Sequence, residues 1–135
     1  GSNLVALAHA EGIQVFPLVG PSSILLALMG SGLSGQNFAF HGYLPAKSEL
    51  RQKRLRELEK DSRQENRTQI FIETPYRNMQ MLETLINTCA PNTKICVATD
   101  LTLASESINT RTTLEWRRQG LPSIDRQPTV FLFQA

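Results

Sequence analysis

The chain has 135 residues, enough for one compact domain and not comfortably for two. Its 14 basic and 12 acidic residues leave a net charge of +2, too little by itself to argue for nucleic acid, while a hydrophobic fraction of 41% permits a real core. The longest apolar run, Ile24 to Met29, is six residues, which excludes a membrane-spanning helix.

In chain order, Leu4, Val5, Leu7, Ala8 and Ala10 give an apolar helix closed by Gly12. It follows Gly1-Ser2-Asn3 directly, as in a domain cut from a longer protein. Ile13 to Leu18 (IQVFPL) reads as a strand with a proline near its end. VGPSS leads into ILLALMGSG, a short helix that is apolar on every side and is expected to be buried. Phe38-Ala39-Phe40 starts a strand that runs into HGYLPAKS. A charged helix extends from Ser48 to about Arg63. Gln69 to Glu73 is a strand, and Arg77 to Cys89 is a helix with Leu82, Leu85, Ile86 and Cys89 on one face. APNTK turns into the strand Lys94 to Thr99; Glu106 to Thr110 is a further candidate strand. Thr113 to Gln119 is a short helix, and Thr129 to Phe133 is the last strand. Helices alternating with apolar strands predict an α/β fold, a sheet with helices on both faces. Cys89 and Cys96 lie outside any CxxC or metal spacing and read as reduced core thiols of a cytoplasmic protein. His9 and His41 have no carboxylate or cysteine at metal spacing, so no metal site is expected.

Three stretches bear on function. In VGPSS, Gly20 allows close backbone approach, Pro21 stiffens the turn, and Ser22 or Ser23 can cap the next helix, whose N-terminus offers free N–H groups to an anion. Taken alone, this is also what an ordinary capped turn looks like. The charged segment Lys47 to Arg67 holds eight basic and five acidic residues over a thin stripe of Leu50, Leu55 and Leu58. It reads either as a solvated helix laced with i,i+4 pairs or as a basic ridge for RNA phosphates, with Arg51, Lys53, Arg54 and Arg56 near its start. FIETPYRN ends an apolar strand in Glu73, Thr74, Pro75, Tyr76 and Arg77. Ligands of α/β sheets gather at such carboxyl ends. Glu73 can accept from a ribose hydroxyl or an amino group, and Tyr76 and Arg77 offer a stacking face and a fork for carboxylate or phosphate. Thr74 at the N-cap with Pro75 at N1 would serve a plain helix cap with the same geometry.

Together, VGPSSILLALMGSGL, FAFHGYLPAKSELRQKRL, QIFIETPYRN and CVATDLTLASESINTRT resemble the C-terminal half of the tetrapyrrole methylase superfamily. The branch they resemble is that of the 16S ribosomal RNA ribose 2′-O-methyltransferases. There the motifs run roughly PGPSA, FxGFLPxK, FYESPHR and ARELTKxxE, in the same order and at similar spacing. The resemblance implies the C-terminal domain, over residues 1–135, of a two-domain S-adenosylmethionine-dependent methyltransferase. It further implies a homodimer acting on small-subunit ribosomal RNA, whose own N-terminal domain completes the site. By the same resemblance Ser22, Ser23, Glu73, Thr74, Asp100 and Leu101 touch the cofactor, with Pro128 and Thr129 a weaker match. Tyr76, Arg77, Arg51, Lys53 and Arg54 are the substrate-binding candidates, and no catalytic base is assigned. Glu106 aligns with the acid that closes ARELTKxxE and reads equally well as a base or as a structural group.

The sequence departs from the family at Ile72 (tyrosine there), Thr74 (serine), Tyr76 (histidine), Leu103 (the lysine of ELTK) and Gln127-Pro128 (glycine-glutamate). These changes bear on the acceptor more than on the cofactor. Two other readings therefore stand beside the ribosomal one: a methyltransferase of the same fold acting on a tetrapyrrole or other small molecule, and a non-catalytic interaction or dimerisation domain.

Overall fold

The structure, a computed structural model, describes residues 1–135. A five-stranded sheet has the order β1-β2-β5-β3-β4, built from β1 (Phe38–Tyr43), β2 (Thr68–Ile72), β3 (Lys94–Thr99), β4 (Ser107–Thr112) and β5 (Thr129–Gln134). β1 and β2 are parallel; β5 lies between β2 and β3, antiparallel to both, and β4 runs antiparallel along β3. The three inner strands are buried on both sides, which is why IFI, ICVA and VFLF are continuous apolar runs rather than alternating ones.

The two-residue period of the strands sorts these side chains into two cores. Phe71, Ile95, Val97, Phe131 and Phe133 face α3 (Ser48–Glu65), α4 (Asn78–Thr88) and α5 (Thr113–Gln119). Phe71 stacks on Phe131 at 5.6 Å between centroids and meets Phe133 edge-on at 6.2 Å. Ile70, Cys96, Ala98, Val130 and Leu132 face α2 (Ser23–Ser31). Helices thus lie on both faces of the sheet, as the alternation predicts. Gly30 lets α2 come close to β4: a Cβ there would stand 2.7 Å from Ile108 Cδ1. Both cysteines are free and buried, and burial pushes the Cys89 thiol up to about 12.

Two expectations fail at the start of the chain. Residues 13–18 form no strand, because no sheet neighbour offers them a hydrogen-bonding ladder. The segment has no regular structure and is mostly exposed, Leu18 at 92% and Phe16 at 71%. The helix α1 (Ser2–Ala10) that precedes it buries none of its residues. Nor is α2 buried on every side. Ala27, Leu28 and Ser31 face the sheet, whereas Leu25 and Met29, four residues apart, face outward.

The charged helix also corrects its own reading. Its inner stripe is Arg51, Leu55, Leu58, Glu59 and Ser62, while Leu50 is exposed. Arg51 therefore does not belong to a basic ridge: spacing places it on the core side, 3% exposed, with Nη1 and Nη2 donating to Ala46 O at 3.5 Å and Thr84 Oγ1 at 3.4 Å. No carboxylate pairs with it, and its buried Nε has no partner. Replacing such a group by an apolar side chain of similar length removes a desolvation cost. Arg51→Met is expected to keep or raise thermal stability and to leave RNA affinity unchanged, as thermal denaturation and RNA titration would show. Elsewhere α3 is tied to β2 through fully buried Gln69, whose Nε2 donates to Asp61 Oδ2 at 2.6 Å and to Leu58 O at 3.2 Å. That amide bond, and after it Arg67, holds the Asp61 carboxyl below the usual carboxylate range.

Candidate cofactor site

Because β5 is antiparallel to both neighbours, its first residues lie beside the last residues of β2 and β3. Ile72 pairs with Val130, and Thr99 with Thr129. A cavity of about 340 Å³ opens at this edge of the sheet. Ile72, Ala98, Leu101 and Val130 give it apolar walls; Glu73, Asp100 and Thr129 add polar groups, and Ser23 approaches from the first turn of α2.

Glu73 is the first residue past β2 and is 7% exposed. Its Oε1 accepts from Thr74 N at 2.8 Å and from Thr74 Oγ1 at 3.3 Å. The Thr74 hydroxyl therefore makes no cap bond to the next turn, although its residue does occupy the N-cap with Pro75 at N1. The short 3-10 turn Pro75–Arg77 is closed by Arg77 N donating to Thr74 O at 2.8 Å, and the Arg77 guanidinium lies 5.1 Å from the Tyr76 ring centroid.

The loop after β3 is strained and braced. Asp100 and Thr102 hold positive φ of 51° and 71°, a region that costs a β-branched threonine most. Asp100 N donates to Pro128 O and Leu103 N to Asp100 O, each at 3.0 Å. Ser105 Oγ donates to Asp100 Oδ2 at 2.9 Å, and Thr102 N donates to Glu106 Oε1 at 3.0 Å. Of the two roles open to Glu106, this geometry supports the structural one, since its carboxylate holds the loop backbone.

On the far side, fully buried Asn78 fastens the segment leading into β5. Its Nδ2 donates to Ile124 O at 3.2 Å, Thr129 Oγ1 at 3.2 Å and Gln127 O. Sequence reading passed over Asn78, yet the signal is there: it is the polar member of the inner stripe 78, 81, 82, 85 and 86 of α4. Asn78→Ala removes the buried donor that ties Ile124 O and Gln127 O to α4, leaving those carbonyls only their local partners Gln127 N and Thr129 Oγ1, and is expected to cost about 1–2 kcal/mol, measured by denaturant titration.

Of the eight residues matched to the cofactor, Ser23, Glu73, Asp100, Leu101, Pro128 and Thr129 meet around this one cavity. Ser22 and Thr74 lie beside it in sequence but do not line it, and Ser22 caps α2 without a side-chain bond. Tyr76 and Arg77 follow Pro75, itself a lining residue. Lys53 and Arg54 sit farther off on α3: Lys53 is exposed, and Arg54 pairs with Glu57 at 3.4 Å. Ala98, Ile72 and Val130 complete the walls and were legible only as core residues.

No family model matches the chain. In sequence it is similar to "Ribosomal RNA small subunit methyltransferase I" of Vibrio cholerae, 37% identical over 108 residues, covering 80% of this chain and 36% of that protein. The same-named proteins of Escherichia coli O157:H7 and Xylella fastidiosa are 35% and 39% identical, with 81% and 80% of this chain and 37% and 38% of theirs covered. The chain thus spans little more than a third of the length of these relatives. In structure it is similar to the methyltransferase CobJ (TM-score 0.59, 21% identity, 98% of this chain and 56% of that one). It is also similar to the cobalt precorrin-4 methyltransferase CbiF (0.55, 15%, 98% and 57%). A third likeness is to uroporphyrin-III C-methyl transferase of Thermus thermophilus complexed with S-adenosyl homocysteine (0.51, 16%, 99% and 58%). Over about 80% of its length the chain is similar in sequence to the ribosomal RNA small subunit methyltransferase I proteins, and its fold is that of the methyltransferases CobJ and CbiF.

Proposed function

We propose that the protein to which this chain belongs is an S-adenosylmethionine-dependent methyltransferase that modifies a ribose 2′-hydroxyl of small-subunit ribosomal RNA, and that residues 1–135 supply one wall of its cofactor cleft. The observation that carries this reading is the convergence of three chain-distant segments, 72–75, 98–103 and 128–130, on one cavity at the carboxyl edge of the sheet. The residues fit the cofactor's chemistry. Ile72, Ala98 and Val130 offer an apolar seat for a base, and the buried Glu73 carboxylate offers an acceptor for hydroxyl or amino hydrogens. When bound, the cofactor supplies a methyl group activated by its sulfonium. The task left to the protein is to hold the acceptor oxygen in line with that methyl and to let the hydroxyl proton leave. In this reading Tyr76 and Arg77 meet the substrate, and Lys53 and Arg54 add a weaker electrostatic contribution.

The rest of the protein completes the cleft. The exposed apolar residues Leu4, Leu7, Phe16, Leu18 and Val19 at one end of the chain are the surface it would cover. A homodimer working in the cytoplasm is part of the same proposal; no helix of the structure is long and apolar enough to cross a membrane. The 135-residue chain alone is expected to transfer no methyl group, and turnover matching the longer protein would refute this.

The test uses the full-length protein with methyl-labelled S-adenosylmethionine and small ribosomal subunits lacking the modification. Label confined to one ribose supports the proposal. Bound cofactor with no label in RNA overturns the acceptor and favours the small-molecule reading, which the loss of the ELTK lysine at Leu103 already motivates. No cofactor binding favours a non-catalytic domain.

A further inference from the structure

We infer that Tyr43, Lys47 and Arg126 join Tyr76 and Arg77 in a rim along the carboxyl edge of the sheet that grips single-stranded nucleotides flanking the acceptor; the inference rests on the ribosomal RNA reading above. β1 is parallel to β2, so both end at the cavity's edge, and Tyr43 pairs with Ile72, one of the cavity walls. The chain has two tyrosines, and both stand at this edge, each 63% exposed. An exposed aromatic ring gains nothing from the core, whereas stacking on a base rewards it. Lys47, exposed, follows four residues after Tyr43, at the entry to α3. Arg126 is drawn to the same place from the other end of the chain. Its backbone N donates to Pro75 O at 3.1 Å, which fastens the loop before β5 to the turn that carries Tyr76. Arg126 also holds a positive φ of 61°, so the loop is bent to a shape arginine does not favour.

No ion pair neutralises the cations of this rim, although the Arg77 guanidinium lies against the Tyr76 ring. The molecule's two ion pairs, Arg54–Glu57 and Arg67–Asp61, leave Lys47, Arg77 and Arg126 aside. Two exposed rings interleaved with three cations make the pattern of a single-strand platform, in which bases stack and phosphates are neutralised. The rim borders the cavity rather than lining it, so it would place neighbouring nucleotides while the acceptor ribose enters.

The experiment titrates full-length protein with unmodified single-stranded RNA of the small-subunit sequence at two salt concentrations, and separately with S-adenosylmethionine. Tyr43→Ala and Tyr76→Ala are each expected to weaken RNA binding about tenfold, Tyr→Phe at either position to restore it, and cofactor affinity to stay unchanged. Arg126→Glu and Lys47→Glu, both at exposed positions, are expected to weaken RNA binding and to reduce the salt slope by about one or more each. Wild-type protein that methylates RNA, with variants that bind RNA as wild type does, overturns this inference alone. Wild-type protein that neither binds nor methylates RNA overturns it together with the functional reading, as does loss of affinity for a carboxylated tetrapyrrole with RNA binding intact. Should a tyrosine variant fail to fold, the two charge variants decide: RNA binding unchanged in both is a negative result.

Discussion

Ala98→Phe is expected to weaken cofactor binding severely while leaving the sheet assembled. Ala98 is fully buried near the carboxyl end of β3, packs with the α2-side core, and forms part of the cavity wall. An added ring has one open direction, into the cavity of about 340 Å³. The strain of seating it should cost about 1–3 kcal/mol, a typical overpacking penalty. Where these walls seat the base as proposed, filling them should weaken cofactor affinity on the order of 100-fold, equivalent to about 2.8 kcal/mol. Isothermal titration of the full-length variant reads the affinity, and circular dichroism reads the fold. A folded variant with wild-type affinity would mean that the cofactor lies elsewhere.

Trp116→Ala should be the most damaging single truncation in the domain. Trp116, the chain's only tryptophan, is 1% exposed and joins α5 to the sheet. Its Nε1 donates to Ile95 O at 3.0 Å, and the Arg111 guanidinium lies 4.7 Å over its ring. The seven residues of α5 cannot hold a helix on their own, despite the capping box between Thr112 and Glu115. Removing the ring costs about 3–5 kcal/mol from the cavity, and the bond to Ile95 O is lost besides. Domains of this size have about 5–15 kcal/mol in total. Denaturant titration should show most of the stability gone in Trp116→Ala and a smaller loss in Trp116→Phe. A loss below about 1 kcal/mol would show that α5 is held by other contacts.

What could be read from the sequence divides along a physical line. Lys94–Thr99 and Thr113–Gln119 have the bounds the pattern predicts, and the other strands and helices agree to within about two residues. These elements declare themselves locally, through apolar runs and 3.6-residue stripes. The segment 13–18 has the apolar content of a strand, but a strand exists only with a partner, and none of the five strands of this sheet pairs with it. Arg51 looked like one of a row of exposed cations because composition has no sense of facing. Counting in steps of three and four from Leu55 and Leu58 would have placed it inward. Asn78 was hidden for the same reason. Its partners Ile124, Gln127 and Thr129 lie about fifty residues away, and a contact at that separation leaves no trace in local pattern. The convergence of Ser23, Glu73, Asp100, Leu101, Pro128 and Thr129 depends on sheet order, which spacing does not give; the family resemblance supplied those residues one block at a time.

The position of β5 has a consequence for how the protein comes into being. The strand made last in this chain is the one that separates β2 from β3. As the ribosome extends the chain, β2 and β3 emerge with their inner edges unpaired, and neither can close the sheet by meeting the other in native register. The cavity has no third wall until Thr129 and Val130 arrive. Residues 38–128 must therefore wait as a partly open structure, with exposed strand edges that invite pairing between neighbouring chains. Closure joins segments some sixty residues apart, Ile70 with Leu132 for instance, which makes it a slow, non-local step. A nascent chain halted before Thr129 would be a substrate for chaperones rather than a smaller version of the domain.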